Sequence, residues 1–254
     1  MTRFSANLGF LWSDRSLPEA IRAAKAAGFA AVECHWPYDT PAIEVRAALE
    51  ESGLPMLGLN TSRGEVAAGE NGLSALPGRE REARAAIDQA LDYARVIGAG
   101  AVHVMAGFAT GPEAEKTFAE NLTYACQNAG DITILIEPLN RHDAPGYFLS
   151  TTVHAQRIIA DVGQPNLKLM FDCYHIGRME GDLTTRFKAL RSIIGHVQFA
   201  SVPDRGTPDH GEINYEYVFG ELASQGWDRP LGAEYKPKYG TDQTLNWMSA
   251  FSQD

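Results

Sequence analysis

Four oxygen-bearing side chains each close a short apolar run in the second half of the chain. They are Glu137 in ITILIEPLN, Asp172 in LKLMFDCYH, Gln198 in HVQFASVP and Glu234 in PLGAEYKP. Three carboxylates and an amide carbonyl make an all-oxygen set, which suits a hard divalent cation, Mg2+ or Mn2+, better than zinc or copper. Brought together, three carboxylates repel one another; a divalent cation relieves that repulsion and keeps them ionised. Four protein ligands leave about two positions of an octahedral ion for a chelating substrate. A single Glu or Asp at a strand end is ordinarily a helix cap or a salt-bridge partner. Four oxygen ligands at equivalent places on consecutive runs point instead to one shared site, and to an enzyme.

The elements that hold these residues follow from hydrophobic texture. Short apolar runs read as strands near 5–12, 31–36, 55–62, 101–107, 132–140, 167–175, 196–203 and 230–237. Between them lie Ala-, Glu- and Arg-rich segments of helical period near 16–27, 41–52, 79–98, 112–129, 151–163, 182–194, 215–226 and 241–252. Ser16, with Pro18 and Glu19 behind it, is a helix start, and Gly28, Gly53, Gly98 and Gly130 stand where helices must stop. In the third helix Ala86, Ala90, Tyr93 and Ile97 share a face. Strict alternation demands right-handed crossovers and a parallel sheet. Eight units are met most simply by a (β/α)8 TIM barrel, a single domain over residues 1–254, with an open doubly wound sheet as the alternative. The polar stretches 63–79 and 203–214 follow strands, so both belong on the C-terminal face of such a barrel, where either can serve as a lid.

Bulk properties narrow the partners. A hydrophobic content of 44% with 21% charged residues is that of a globular protein with a sizeable core. A formal charge of −10 disfavours nucleic acid and anionic membrane surfaces, while a bound cation still permits an anionic substrate. Three unpatterned cysteines, Cys34, Cys126 and Cys173, fit a reducing cytoplasm, and the start MTRFSANLGFLW lacks the form of a signal peptide. Exposed apolar positions serve equally as barrel surface or as the interface of a homo-oligomer.

The segments IEPLN, FDCYH, HVQ and EY-x-P, in this order, closely resemble the hydroxypyruvate isomerase family of xylose-isomerase-like TIM barrels. SANLGFLW, DAPGYFL and VPDRG…GEINYEYVF extend the likeness over nearly the whole chain. The resemblance implies that Glu137, Asp172, Gln198 and Glu234 bind the metal and that Glu137 and Glu234 are the acid/base pair. It implies a substrate contact for His175, as in related ketose epimerases. Those epimerases usually carry histidine where Gln198 stands, a departure that favours the isomerase branch. Arg205 is a candidate for the substrate carboxylate, although its register is shifted by one from the epimerase arginine. Lys236, two residues past Glu234, is expected to face inward and is a further candidate for binding substrate.

The implied substrate is a small hydroxy-keto acid. Hydroxypyruvate and tartronate semialdehyde differ by a hydrogen moved between adjacent carbons, and the barrier is the acidity of a C–H beside a carbonyl. A 2-oxo-tetronate isomerase and a ketose 3-epimerase use related chemistry and are the alternatives. Endonucleases acting at abasic DNA share the fold, but they need several metals, many histidines and a basic surface. A non-enzymatic metal-stabilised barrel would have no use for both glutamates. Among weaker signals, His196 should point inward below Gln198, His103 would approach the site if inward, Cys173 should face the helix layer, and Phe10, Trp12, His35 and Trp36 could wall the pocket.

Overall fold

The computed structural model describes residues 2–251. The strands are β1 (Phe4–Asn7), β2 (Ala31–Glu33), β3 (Leu59–Asn60), β4 (Ala101–His103), β5 (Thr133–Ile136), β6 (Leu167–Asp172), β7 (Ile194–Phe199) and β8 (Leu231–Ala233). The helices are α1 (Leu17–Ala26), α2 (Ala42–Ser52), α3 (Glu80–Ile97), α4 (Pro112–Asn128), α5 (Thr152–Val162), α6 (Cys173–Met179), α7 (Leu183–Leu190), α8 (Tyr215–Ser224) and α9 (Trp247–Phe251). The strands pair in parallel in the order β2-β1-β8-β7-β6-β5-β4-β3. At the seam between β2 and the segment leading to β3, Val32 N donates to Pro55 O (3.0 Å), Leu57 N to Val32 O (2.7 Å) and Cys34 N to Gly58 O (3.1 Å). These bonds bring the eight strands into a nearly closed barrel, as the alternation of textures requires, and rule out an open sheet.

Strand parity sorts the side chains. Val102, Ile134, Ile136, Phe171, Val197 and Phe199 belong to the main core packed under the helices. Ala101, Leu135 and Met170, one residue out of phase, form a separate small cluster, which parity places in the barrel interior. His103, Glu137, Asp172, His196 and Gln198 share that inward phase, and all are buried. Cys173 lies in the outer core, as expected.

Helix ends follow local chemistry. Ser16 N donates to Glu19 Oε2 at 3.0 Å across the first turn of α1. Gly53 and Gly98 take φ of 66° and 70° to close α2 and α3, a left-handed conformation that a side chain would strain. The inward face of α3 carries Ala83, Ala86, Ile87, Ala90, Leu91, Ala94 and Ile97.

The strands are mostly shorter than expected, and three of the differing boundaries have a clear local cause. The first strand stops at Asn7 rather than at 12, because Leu11 N turns back onto Asn7 O at 2.9 Å. The sixth stops at Asp172 rather than at 175, because the Asp172 carboxylate accepts from Tyr174 N (2.8 Å) and starts α6. The eighth helix, expected over 241–252, is a 3-10 turn at Thr241–Thr244 followed by α9, and position 252 lies outside the described residues. Trp247 anchors α9 by packing on Phe4 and Phe199, with ring centroids 5.0 and 5.5 Å away. No helix among the described residues is long and apolar enough to cross a membrane.

Candidate active site

Asp172 is the last residue of β6, Glu137 and Glu234 directly follow β5 and β8, and Gln198 pairs in register with Asp172 near the end of β7. One ligand atom from each of Glu137, Asp172, His175 and Glu234 lies within 4.8 Å of the others. The four side chains are 1–6% exposed, so their charges act in a low-dielectric interior.

The two glutamates have opposite surroundings. Glu234 Oε1 accepts from Asn7 Nδ2 (3.0 Å) and from His35 Nε2 (2.9 Å), while Oε2 pairs with the Arg205 guanidinium. Burial alone would raise its pKa, but Arg205 and then His35 hold it well below the ordinary carboxylate range. Glu137 Oε1 has no hydrogen-bond partner among the described residues. Burial, and next the charges of Glu234 and Asp172, push its pKa well up. Asp172 rises to about 7, chiefly through burial and then Glu234. Nearby, His103 Nδ1 stands 3.7 Å from Glu137 Oε2, and burial lowers this histidine to about 4. Two carboxylates with pKa values driven apart are the usual make-up of an acid/base pair.

His175 sits on α6, not on a strand. Its Nδ1 lies 3.0 Å from Asn140 N and 2.8 Å from Asn140 Nδ2. Burial, then Arg205, depress its pKa to about 3, so the ring is neutral. A neutral ring whose Nδ1 accepts carries its proton on Nε2. That N–H stands 3.6 Å from Asp172 Oδ2 and 3.9 Å from Glu137 Oε1. In this tautomer Nε2 has no lone pair for a cation and acts as a donor.

The donor set fits a hard divalent cation. Glu137 Oε1, Asp172 Oδ2 and Gln198 Oε1 are buried oxygens with no hydrogen-bond partner among the described residues. Orphaned buried acceptors of this kind are rare in folded proteins and are satisfied by an ion or water. Three carboxylates also outnumber the single guanidinium beside them. A divalent cation would satisfy these oxygens and offset the upward pKa shifts of Glu137 and Asp172.

Arg205 enters from the loop after β7 and lies between two rings, its guanidinium 4.9 Å from the centroids of both Phe10 and Tyr174. Besides pairing with Glu234 it stands 3.8 Å from Asp172 Oδ2. Backbone bonds hold it there: Arg205 N donates to Ser201 O (2.9 Å) and Lys236 N to Arg205 O (2.7 Å). The 203–214 loop is tied down further by His210 Nε2 with Asp204 Oδ2 (2.9 Å). The 63–79 loop approaches the mouth through Arg63, whose guanidinium is 3.8 Å from the Trp36 ring centroid. Lys236 is not part of the cluster. It is exposed, 5.8 Å from the Phe10 ring, and lines a cavity of about 720 Å3 with Gly206, His210, Lys238 and Tyr239.

Sequence reasoning missed Asn7, Asn140 and Glu33, and read His35 only as pocket wall. His35 reaches Glu234 because residue 9 is glycine: a Cβ there would fall 2.0 Å from His35 Nδ1. His196 points inward as expected and meets Glu33 Oε2 at 2.6 Å.

Comparison with known proteins agrees with this fold. Residues 21–251 match the model of the xylose isomerase-like TIM barrel family. A 2-oxo-tetronate isomerase of Cupriavidus necator is 44% identical, covering 99% of both chains. The hydroxypyruvate isomerase of Escherichia coli is 39% identical over 99% of this chain and 100% of its own. A crystal structure from Brucella melitensis, titled AP endonuclease, family 2, superposes with a TM-score of 0.95 at 38% identity over 100% of both chains. The chain belongs to the hydroxypyruvate isomerase family of xylose isomerase-like TIM barrels.

Proposed function

We propose that this protein is a divalent-metal-dependent isomerase that interconverts hydroxypyruvate and tartronate semialdehyde. The observation that carries the reading is the pair Glu137 and Glu234, buried in one oxygen-rich cluster with opposite proton affinities. Glu137, Asp172, Gln198 and Glu234 would hold Mg2+ or Mn2+. When bound, the cation supplies Lewis acidity that makes the C–H beside the substrate carbonyl easier to ionise.

The reaction moves one C–H hydrogen from C3 to C2 and one O–H hydrogen from the C3 oxygen to the C2 oxygen. One glutamate removes the C3 proton, giving an enediolate, and a proton is returned to C2 from the other face. His175 Nε2–H donates to a substrate oxygen as charge develops there. Its Nδ1 cannot compete for that proton, since Asn140 occupies it. Arg205 holds Glu234 through Nη2 and offers its remaining N–H groups to the substrate carboxylate. Lys236, exposed at the mouth beside Lys238, attracts the anion toward a protein whose overall charge would repel it. The partner in this reading is a small hydroxy-keto acid. The net charge of −10 argues against a nuclease role for this chain.

A 2-oxo-tetronate is the second candidate substrate. It is favoured by the 44% identity to the Cupriavidus necator protein. Proton NMR in D2O distinguishes the two. Metal-free protein is incubated with each substrate before and after Mg2+ or Mn2+ is added. Metal-dependent formation of the isomer, an aldehyde from hydroxypyruvate or a 3-oxo acid from the 2-oxo-tetronate, with deuterium at the receiving carbon supports the isomerase, and the ratio of kcat/KM values chooses the substrate. No conversion and no exchange with either substrate rejects the reading.

A further inference from the structure

The two ends of a glutamine amide have nearly the same shape, yet only the oxygen binds a cation. A barrel that uses Gln198 as a ligand must therefore fix which end faces the cluster. We propose that Glu33 is the positioning residue that does this, holding the Gln198 NH2 group so that Oε1 is presented to the cation. The inference rests on the reading of Gln198 as a metal ligand.

Glu33 ends β2 and is 3% exposed. A carboxylate offers acceptors only, so it takes the amide nitrogen and rejects the amide oxygen. Gln198 Nε2 donates to Glu33 Oε2 at 3.4 Å, and His196 Nε2 meets the same oxygen at 2.6 Å. Gln198 Oε1 is left without a hydrogen-bond partner among the described residues. The long Gln198 contact makes the carboxylate's chemical selectivity, rather than the strength of one bond, the feature that sets the amide.

An independent observation is the space given to this pair. Residue 232 is the register partner of Gln198 on β8, and it is glycine. A Cβ at that position would fall 2.2 Å from Glu33 Oε1 and 2.9 Å from Gln198 Cγ. The interior is thus open at the place where the Glu33 carboxylate lies against Gln198. Glu33 also adds its charge, after burial and the other carboxylates, to the upward push on Glu137 and Asp172. A role through charge alone is the rival account, and the experiment separates the two.

Mn2+ binding is measured by titration calorimetry on the wild type, Glu33→Gln, Gln198→Ala and the double variant, with folding checked by thermal unfolding. Glu33→Gln is isosteric, but its neutral amide can pair with either end of Gln198. It should weaken Mn2+ binding about tenfold, the effect usual for a residue that orients a metal ligand. Gln198→Ala should weaken binding by at least as much. The double variant should bind within about twofold of Gln198→Ala, because the two residues act as one unit. Glu33→Asp, which keeps an acceptor-only group, should retain more affinity than Glu33→Gln. Wild-type affinity in Glu33→Gln, losses that multiply in the double variant, or an Asp variant weaker than the Gln variant would each overturn the proposal. Unchanged affinity in Gln198→Ala would instead reject Gln198 as a ligand, and the inference with it.

Discussion

Replacing Arg205 with methionine tests how the carboxylate cluster is held together. Methionine keeps an apolar stem between Phe10 and Tyr174 but removes the guanidinium. The lost charge is well buried, its side chain 12% exposed, and it stands 3.8 Å from Asp172 Oδ2 while contacting Glu234 directly. A unit pair near 4 Å interacts by about 4 kcal/mol at an effective dielectric of 20. Removing one member of a buried pair costs about 3–5 kcal/mol, because the other is left unpaired. Two features place this case at the low end. Glu234 keeps its bonds from Asn7 (3.0 Å) and His35 (2.9 Å), and Glu137 and Asp172, already shifted up, can take up protons. The expected loss is about 3 kcal/mol, which lowers Tm by roughly 6–12 °C in a chain of this size. The assay is thermal unfolding followed by circular dichroism at pH 8 with a chelator present. Mn2+ should then raise the Tm of the variant by at least as much as that of the wild type, since cation and guanidinium offset the same negative charge. A variant Tm within about 2 °C of the wild type in chelator would refute this electrostatic account.

Other predictions concern pH, catalysis and His175. Asp172, raised from 3.8 to about 7, contributes stability that is present below pH 3.8 and lost as pH rises through 7; Glu137 acts in the same direction. His103 and His175, lowered to about 4 and about 3, oppose this trend up to their ordinary value of 6.5, while Glu234, shifted down from 4.5, acts only in more acidic solution. Urea unfolding in chelator should therefore show stability falling between about pH 6.5 and 8, and saturating Mn2+ should reverse the slope; a rising slope in chelator contradicts the assignment. Glu137→Gln and Glu234→Gln should each abolish turnover and leave measurable Mn2+ binding, and near-normal kcat in both would remove them as the acid/base pair. His175→Gln, which keeps an N–H donor, should retain more kcat than His175→Ala, and Mn2+ binding should stay measurable in both, as expected of a donor outside the ion's ligand set. Loss of Mn2+ binding in His175→Ala would make it a ligand instead.

The barrel and the buried oxygen cluster are legible because each proposed ligand closes a distinct apolar run. Ile134, Leu135 and Ile136 announce a buried strand, and the next residue is Glu137; Leu169 to Phe171 do the same for Asp172. Asn7 and Glu33 obey the same strand-end rule and were hidden by boundary error. β1 and β2 are four and three residues long, and the expected strands overran them to 12 and 36, which put their ends at the wrong side chains. Inward parity for Lys236 presumed a strand that continues past 234. β8 stops at Ala233, and the Lys236 side chain is exposed. The Arg205–Glu234 contact spans 29 residues and depends on a loop conformation with φ of 56° at Arg205, which no local pattern encodes. The sequence pattern puts His175 on a strand tail because the Asp172 cap that begins α6 also reads as a metal ligand.

The missed residues share a position in the barrel that explains why they were hard to read. The proposed oxygen ligands lie on or just after strands β5 to β8, while β1 and β2 and the turns after them carry Asn7, Glu33 and His35, which contact those side chains. A cation restricts its ligands to a few oxygen-bearing side chains, so they stand out by type in the sequence. A residue that donates to Glu234 or orients Gln198 needs only one suitable polar atom, and many side chains meet that need. Its role emerges when closure of the barrel sets β1 against β8 and brings Glu33 to His196. The same closure makes the two glutamates unlike: Asn7 and His35 converge with Arg205 on Glu234, while Glu137 Oε1 receives no donor among the described residues. The difference in proton affinity that the proposed chemistry uses is therefore a property of the closed barrel, in which Arg205 from the loop after β7 and His35 from beyond β2 meet on Glu234.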